Sequence, residues 1–228
     1  MDPRTDVLVD GRWAAAPSPI SHLILPDGSV DLVERGGELV VMGPMARARW
    51  VRVSGAPARG VRLHPGAASW LGVPLGELRD LVVPWSDLPV RAPSGADLLA
   101  TAVGHGRRHL RRDPRVLRVA RSLMARPDQS VGALAQAVGW TPRHLRRRFD
   151  AEVGLTPRLF GRIMRLQRLT SDLAGTEPIG DLAHRHGFFD QAHLSRDVKA
   201  LTGLSPLALR RVLAPEVRSV QGQPTGAP

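Results

Sequence analysis

The sequence contains no cysteine. That excludes a disulfide framework, a zinc finger built on thiolates, an iron–sulfur cluster and a cysteine nucleophile. Lysine is almost missing too: of 32 basic residues only Lys199 is a lysine. We read that chiefly as the bias of a GC-rich genome and only secondarily as a choice of guanidinium chemistry. Nowhere do 18 apolar residues run together, so no membrane span is expected. The opening residues, MDPRTDVLVDG, lack a basic stretch followed by an apolar one, so no signal peptide is read there and the expected location is the cytoplasm. Neither G-x-S-x-G, H-E-x-x-H, a P-loop nor a dinucleotide fingerprint occurs, so the expectation is no enzyme and no cofactor.

What is present points elsewhere. The 228 residues, 43% of them hydrophobic, suffice for one large or two modest domains and rule out a wholly disordered chain. The net charge of +11 is unevenly placed. Residues 1–100 hold 10 basic and 11 acidic side chains, whereas residues 101–228 hold 22 and 10. Such asymmetry suggests a polyanionic partner for the C-terminal part, nucleic acid before membrane; a merely solvated arginine-rich surface is the plain alternative.

The N-terminal third reads as strands. His22–Leu25 precedes the turn Pro26-Asp27-Gly28, and Val30–Arg35 and Glu38–Met42 flank Gly36-Gly37, a hairpin signal. Arg49–Ser54 and Gly60–His64 alternate, with Trp50, Arg52, Arg62 and His64 on one face. Ala67–Leu71 reads as a short helix and the proline-rich segment from Val83 to Ser94 as a linker. Beyond it the period becomes helical. A helix is expected over Gly95–Arg112, and another from Pro114 to about Ala125, capped by Asp113, with Val116, Leu117, Ala120, Leu123 and Met124 inward. The fold class is therefore α+β. The expected division is a small mainly-β domain over 1–88, a linker and connecting helix over 89–112, an all-α domain over 113–214 and a loose tail over 215–228.

Two stretches resemble each other. Leu134-Ala135, Gly139, His144-Leu145, Arg147, Phe149, Gly154 and Thr156-Pro157 recur as Leu182-Ala183, Gly187, His193-Leu194, Arg196, Val198, Gly203 and Ser205-Pro206. The offset is 48 residues up to the first glycine and 49 afterwards, because the second turn holds one extra residue. In the first stretch a short helix over Val131–Val138 ends at Gly139 and Thr141-Pro142 opens another. Leu145, Phe149 and Val153 form its apolar stripe, leaving Arg143, Arg146, Arg147 and Arg148 off it. In the second, Leu194, Val198 and Leu201 are inward and Gln191, Ala192, Ser195, Arg196 and Lys199 remain outward. Two short helices on a glycine turn, the second one cationic, make a helix-turn-helix, sized for a major groove about 12 Å wide. The apolar helix expected over Pro157–Ala174 would span about 27 Å and tie the two units together.

These stretches, AVGWTPRHLRRRFDAEVGLTP, RIMRLQRLTSDLA and HGFFDQAHLSRDVKALTGLSP, resemble the DNA-binding module of the AraC/XylS family of bacterial transcription regulators over about Pro114–Val212. The resemblance implies double-stranded DNA and RNA polymerase as partners. It puts base reading on Arg143, Arg146, Arg147, Gln191, Ala192, Ser195 and Arg196; we expect Arg148 and Lys199 on phosphates, and contact with phosphate or solvent alone is the plain alternative for the other arginines. Family members usually carry phenylalanine where this chain has Val198, and Asp197 stands beside it, so a less tightly packed second unit is expected. LPDGSVDLV and VRLHPGAASWLGVPLGEL resemble the N-terminal domain of one AraC-type subgroup, which implies a sensory or dimerising role. That means a small-molecule effector of unknown identity and a homodimer as further expectations. His22, Trp50 and His64, with Asp27 and Asp31, are candidates to line an effector pocket; turn chemistry at Asp27-Gly28 is the plainer reading. The alternatives are an N-terminal domain that is an enzyme or purely a protein-interaction module. Alkylation-repair relatives of the module act through cysteine, which is absent. His105 and His109 share a helix face and His184, His186 and His193 lie close in sequence, but without an acid or thiolate at ligand spacing no metal site is expected.

Overall fold

The computed structural model describes residues 8–91, 93–111 and 113–214. The expected loose tail lies outside the described residues. In chain order come β1 (Val9–Ala15), β2 (His22–Ile24), β3 (Val30–Arg35), β4 (Glu38–Met42), β5 (Arg49–Val51), β6 (Ala58–Leu63) and β7 (Val82–Pro84). Then follow α1 (Leu98–His109), α2 (Pro114–Ala125), α3 (Val131–Ala137), α4 (Pro142–Val153), α5 (Pro157–Leu173), α6 (Ile179–Arg185), α7 (Gln191–Thr202) and α8 (Pro206–Leu213). The class is α+β: strands first, helices after.

Five strands form an antiparallel sheet in the order β1-β6-β3-β4-β7, and β2 pairs with β5 in a separate ribbon. The β3–β4 hairpin turns through Gly36 and Gly37, both at positive φ (60° and 83°), the pair of left-handed residues that a tight two-residue turn needs. Alternation sorts the sheet's faces. Leu32, Leu39, Val41, Val61 and Leu63 are buried against Trp70, Leu71 and Leu75. Asp31, Val33, Val40, Met42 and Arg62 face the other way, toward a cavity described below.

The structure departs from the sequence reading in several places. β1 was not anticipated, because its burial alternates only between half-buried and exposed and its apolar signal is weak. The expected helix at Ala67–Leu71 is a 3₁₀ turn over Ser69–Leu71. The proline-rich segment begins as edge strand β7 and a 3₁₀ turn over Trp85–Asp87, with Trp85 and Leu88 buried. Pro84 is tolerated there because an edge strand can spare a ladder donor. Finally, the connecting helix is shorter than expected and belongs to the first core. Asp97 caps α1, which buries Leu99, Ala102 and Val103 among the N-terminal residues. Gly106 is needed in it because a Cβ there would lie 2.6 Å from the Trp70 ring.

The second core gathers α2 to α8. Asp113 caps α2 and Pro114 starts it. Its buried stripe is Val116, Val119, Ala120 and Leu123, whereas Met124 faces solvent, displaced by Val119.

The halves grip each other. Leu23 is buried in the helical core, with Leu25, Ala46 and Ala48 packed on it. Gln167 Nε2 donates to the Pro26 carbonyl at 2.6 Å, and the Ala48 N–H to the Leu201 carbonyl at 2.7 Å. Gly28, at φ +76°, sits so close to α5 that a Cβ would come within 2.5 Å of the Phe160 ring. Arg79 Nε donates to the Gly154 carbonyl at 2.7 Å while its guanidinium pairs with Asp150. Both partners are partly exposed, so Arg79→Ala is expected to cost about 1 kcal/mol. Thermal unfolding should show a fall of roughly 2–4 °C; no change would mean the contact adds nothing to the union of the two halves.

Candidate nucleic-acid interface

Each helix-turn-helix is built by local chemistry. In the first, the Ser130 hydroxyl accepts from the Ala133 N–H and opens α3. Gly139, at φ +67°, turns the chain, and the Trp140 N–H closes the turn on the Ala135 carbonyl at 2.9 Å. Thr141 then caps α4, accepting from the His144 N–H at 3.2 Å, with Pro142 in the first turn. The second unit repeats the turn and the cap of its second helix, although α6 has no side-chain cap and α7 no proline in its first turn. Gly187 is at φ +71°, the Phe188 N–H reaches the Ala183 carbonyl at 2.9 Å, and Asp190 caps α7 on the His193 N–H at 2.5 Å.

Supporting contacts recur as well, and sequence reasoning missed them. Arg115 of α2 lies over the Trp140 ring at 4.9 Å and Arg165 of α5 over Phe188 at 5.1 Å. His144 packs on Trp140 (4.7 Å between centroids) and His193 edge-on to Phe188 (5.5 Å). Each turn is thus a ring held between a cation from the helix ahead of the unit and a histidine of the unit's second helix.

The apolar stripes face inward as expected. Leu145, Phe149 and Val153 are buried in α4, and Leu194, Val198 and Leu201 in α7. Opposite them, Arg143, Arg146 and Arg147 are exposed, as are Gln191, Ala192, Arg196 and Lys199; Ser195 is half-buried. Among the described residues the side chains of Arg143, Arg146, Arg147 and Arg196 have no hydrogen-bond or ion-pair partner.

Two expectations need correction. Arg148 does not stand free for a phosphate. Its guanidinium is engaged by buried Glu152 one turn on and lies 3.8 Å from Asp113, the cap of α2. Glu152 also accepts the Asp113 N–H at 3.2 Å, so this group fastens the first recognition helix to α2. Nor is the second unit loosely packed. Val198 is 1% exposed, and Asp197 binds Arg162 of α5 at 2.9 Å, fastening α7 to α5 by an ion pair of the opposite polarity.

Burial pushes the Glu152 carboxyl above its ordinary value near 4.5, against the Asp113 N–H and Arg148, which favour the charged form. A carboxyl with a raised folded-state value contributes stability that is complete below its unfolded value and lost as pH rises through the folded one. Glu152→Gln should therefore narrow its stability deficit, or gain on the wild type, as pH climbs from about 4 toward neutrality. Parallel pH profiles of the two proteins would contradict that assignment.

A cavity of about 780 Å³ lies between the sheet, the β2–β5 ribbon and the helical half, with Gln167 and Thr170 of α5 and Leu213 of α8 in its wall. Asp31 pairs across the strands with Arg62, which also meets Asp27 at 2.8 Å. Asp27 accepts the Ser29 N–H too, as turn chemistry requires. Burial raises its carboxyl despite Arg62. Trp13 Nε1 and His22 Nε2 are buried without a hydrogen-bond partner. Of the five residues expected to line an effector pocket, His22, Asp27 and Asp31 line this space and Trp50 and His64 do not. Trp50 is 51% exposed and His64 lies 3.3 Å from Asp10, both outside the wall. Trp13 and Arg62 were not among the candidates; their placement depends on long-range strand pairing. His105 and His109 stack at 4.1 Å, and among the described residues no group of three or more possible ligands is placed to hold a metal ion. No helix among those residues is long and apolar enough to cross a membrane.

This geometry defines a double helix-turn-helix protein with a separate N-terminal α+β half. A helix-turn-helix domain model matches residues 134–212, and a domain of unknown function (DUF6597) matches residues 7–84. The chain is 32% identical over 107 residues to regulatory protein ada of Salmonella typhimurium, covering 47% of this chain and 30% of that protein. It is similar in structure to the C-terminal domain of AraT, a response regulator from Geobacillus stearothermophilus, with a TM-score of 0.41 at 24% identity over 44% of this chain and 86% of that one. ToxT from Vibrio cholerae gives a TM-score of 0.42 at 11% identity, covering 90% of this chain and 94% of that one. The chain thus carries a helix-turn-helix domain in its C-terminal half, behind a separate N-terminal domain, and it spans less than a third of the length of the Salmonella protein it matches.

Proposed function

We propose that the protein is a sequence-specific DNA-binding transcription regulator whose α4 and α7 enter successive major grooves of one duplex. The observation that carries this is the exposed, unpartnered set Arg143, Arg146 and Arg147 on α4, matched by Gln191, Ala192, Ser195, Arg196 and Lys199 on α7. Arginine pairs bidentately with guanine O6 and N7, and glutamine with adenine. The 17 residues of α5 span about 25 Å, which, with the two units beyond its ends, suits grooves that recur every 34–36 Å or so along one face. The two modules of this reading are residues 1–111, including α1, and residues 113–214. Selecting bound sites from a random DNA pool tests it: the expected product is a two-part site. On that site log K should fall against log salt with a slope near −5, for about six neutralised phosphates. A shallow slope with no selected sequence would overturn the reading.

Control through the N-terminal module deepens this. The cavity supports an effector site: it offers unpartnered Trp13 Nε1 and His22 Nε2 beside the Asp27–Arg62–Asp31 cluster and shares its wall with α5 and α8. A small molecule held there would bear directly on the helix that spaces the two recognition helices. RNA polymerase and a second copy of the chain are the proposed protein partners, and the cytoplasm the place of action. Catalysis has no part in this reading.

A further inference from the structure

The two helix-turn-helix units differ by one residue, and that residue is Phe189. Trp140 corresponds to Phe188 and the cap Thr141 to the cap Asp190, leaving Phe189 without a counterpart in the first unit. It is the most exposed of the large hydrophobic side chains among the described residues, at 86%. A lone exposed apolar residue is ordinary, but this one is fixed in place. Its N–H donates to His193 Nδ1 at 3.3 Å, the next residue caps α7, and the residue before is buried against His193. The turn therefore presents the ring at the start of α7, two residues ahead of Gln191, on the end of a recognition helix whose first residues meet base edges.

We infer that Phe189 is a base-reading residue that packs on the 5-methyl group of a thymine in the half-site of the second unit. The inference rests on the DNA-binding reading above. Every base edge in the major groove displays nitrogen or oxygen atoms, and thymine alone adds a methyl, the apolar group an aromatic ring can cover. With an arginine-dominated first unit drawn to guanine, the second unit thereby gains a preference that its smaller cationic set does not supply.

The test uses the full chain and the site it selects from a random pool. Each thymine of the second half-site is replaced in turn by deoxyuridine, which deletes the methyl and keeps the pairing. At one position the wild type should lose about fourfold in affinity, the worth of one methyl group buried. Phe189→Ala should bind the thymine and uracil duplexes equally, and Phe189→Leu should keep part of the difference. Because the ring is exposed, neither variant should shift thermal unfolding. Indifference of the wild type to every replacement, a selected second half-site with no thymine, or discrimination that survives in Phe189→Ala would each overturn the inference while leaving DNA binding intact. A wild type that selects no site removes the underlying reading instead.

Discussion

Phe149→Ala is expected to destabilise the protein by about 3–5 kcal/mol, the range for emptying a buried aromatic site. The ring is fully buried on the inner face of α4 and meets Phe160 of α5 edge-on at 5.5 Å, and Phe160 in turn lies against Gly28 of the N-terminal half. One side chain thus joins the first recognition helix, the spacer helix and the surface on which the N-terminal module sits. Neighbouring side chains of α4 and α5 cannot fully refill the space the ring leaves. The unfolding midpoint should drop by roughly 10 °C or more, and a loss below about 1 kcal/mol would show that α4 is not held to α5 through this ring.

Arg147→Ala should relax the preference at one base position, lowering discrimination there by about 1–3 kcal/mol, or roughly 5- to 150-fold. The argument is one of partners. Arg147 is exposed and without a protein partner, so its donors are available to a guanine edge. Its neighbour Arg148 is held by Glu152 and Asp113. Arg148→Ala should therefore lower stability, since it leaves buried Glu152 without its cation, and should leave the base preference unchanged. Binding profiles over all single-base variants of the site separate the two. Equal loss on every sequence for Arg147→Ala would reduce that residue to a phosphate contact.

The contrast between these neighbours marks what the sequence could and could not convey. The helix-turn-helix units were legible because their determinants are local: a glycine at the left-handed position, a capping Thr or Asp, a proline in the first helical turn and a stripe at helical spacing. The β3–β4 hairpin was legible for the same reason. The pairing of Arg148 went unread because Asp113 reaches it from the start of another helix, although Glu152, four residues on, was a visible partner. Trp50 was grouped with Arg62 and His64 by alternation alone, but β5 pairs with β2 rather than with β6, so those residues share no face. The cavity was legible only in part: His22, Asp27 and Asp31 line it, whereas Trp50 and His64 do not. Its walls come from strand pairings and from α5 and α8, and nothing local to Trp13 or Arg62 announces that company. β1 escaped notice because an edge strand with one half-buried face carries little apolar pattern.

The central claim, two recognition helices of one chain seated on one side of a duplex, is tested most directly by missing-base interference, which reports contacts to all four bases, on the selected site, with the protein at a concentration where one copy binds. The account predicts two clusters of interfering guanines, or one such cluster and one of thymine and adenine contacts, in successive major grooves about 10–10.5 base pairs apart. A single cluster, or two clusters on opposite faces of the helix, would contradict it.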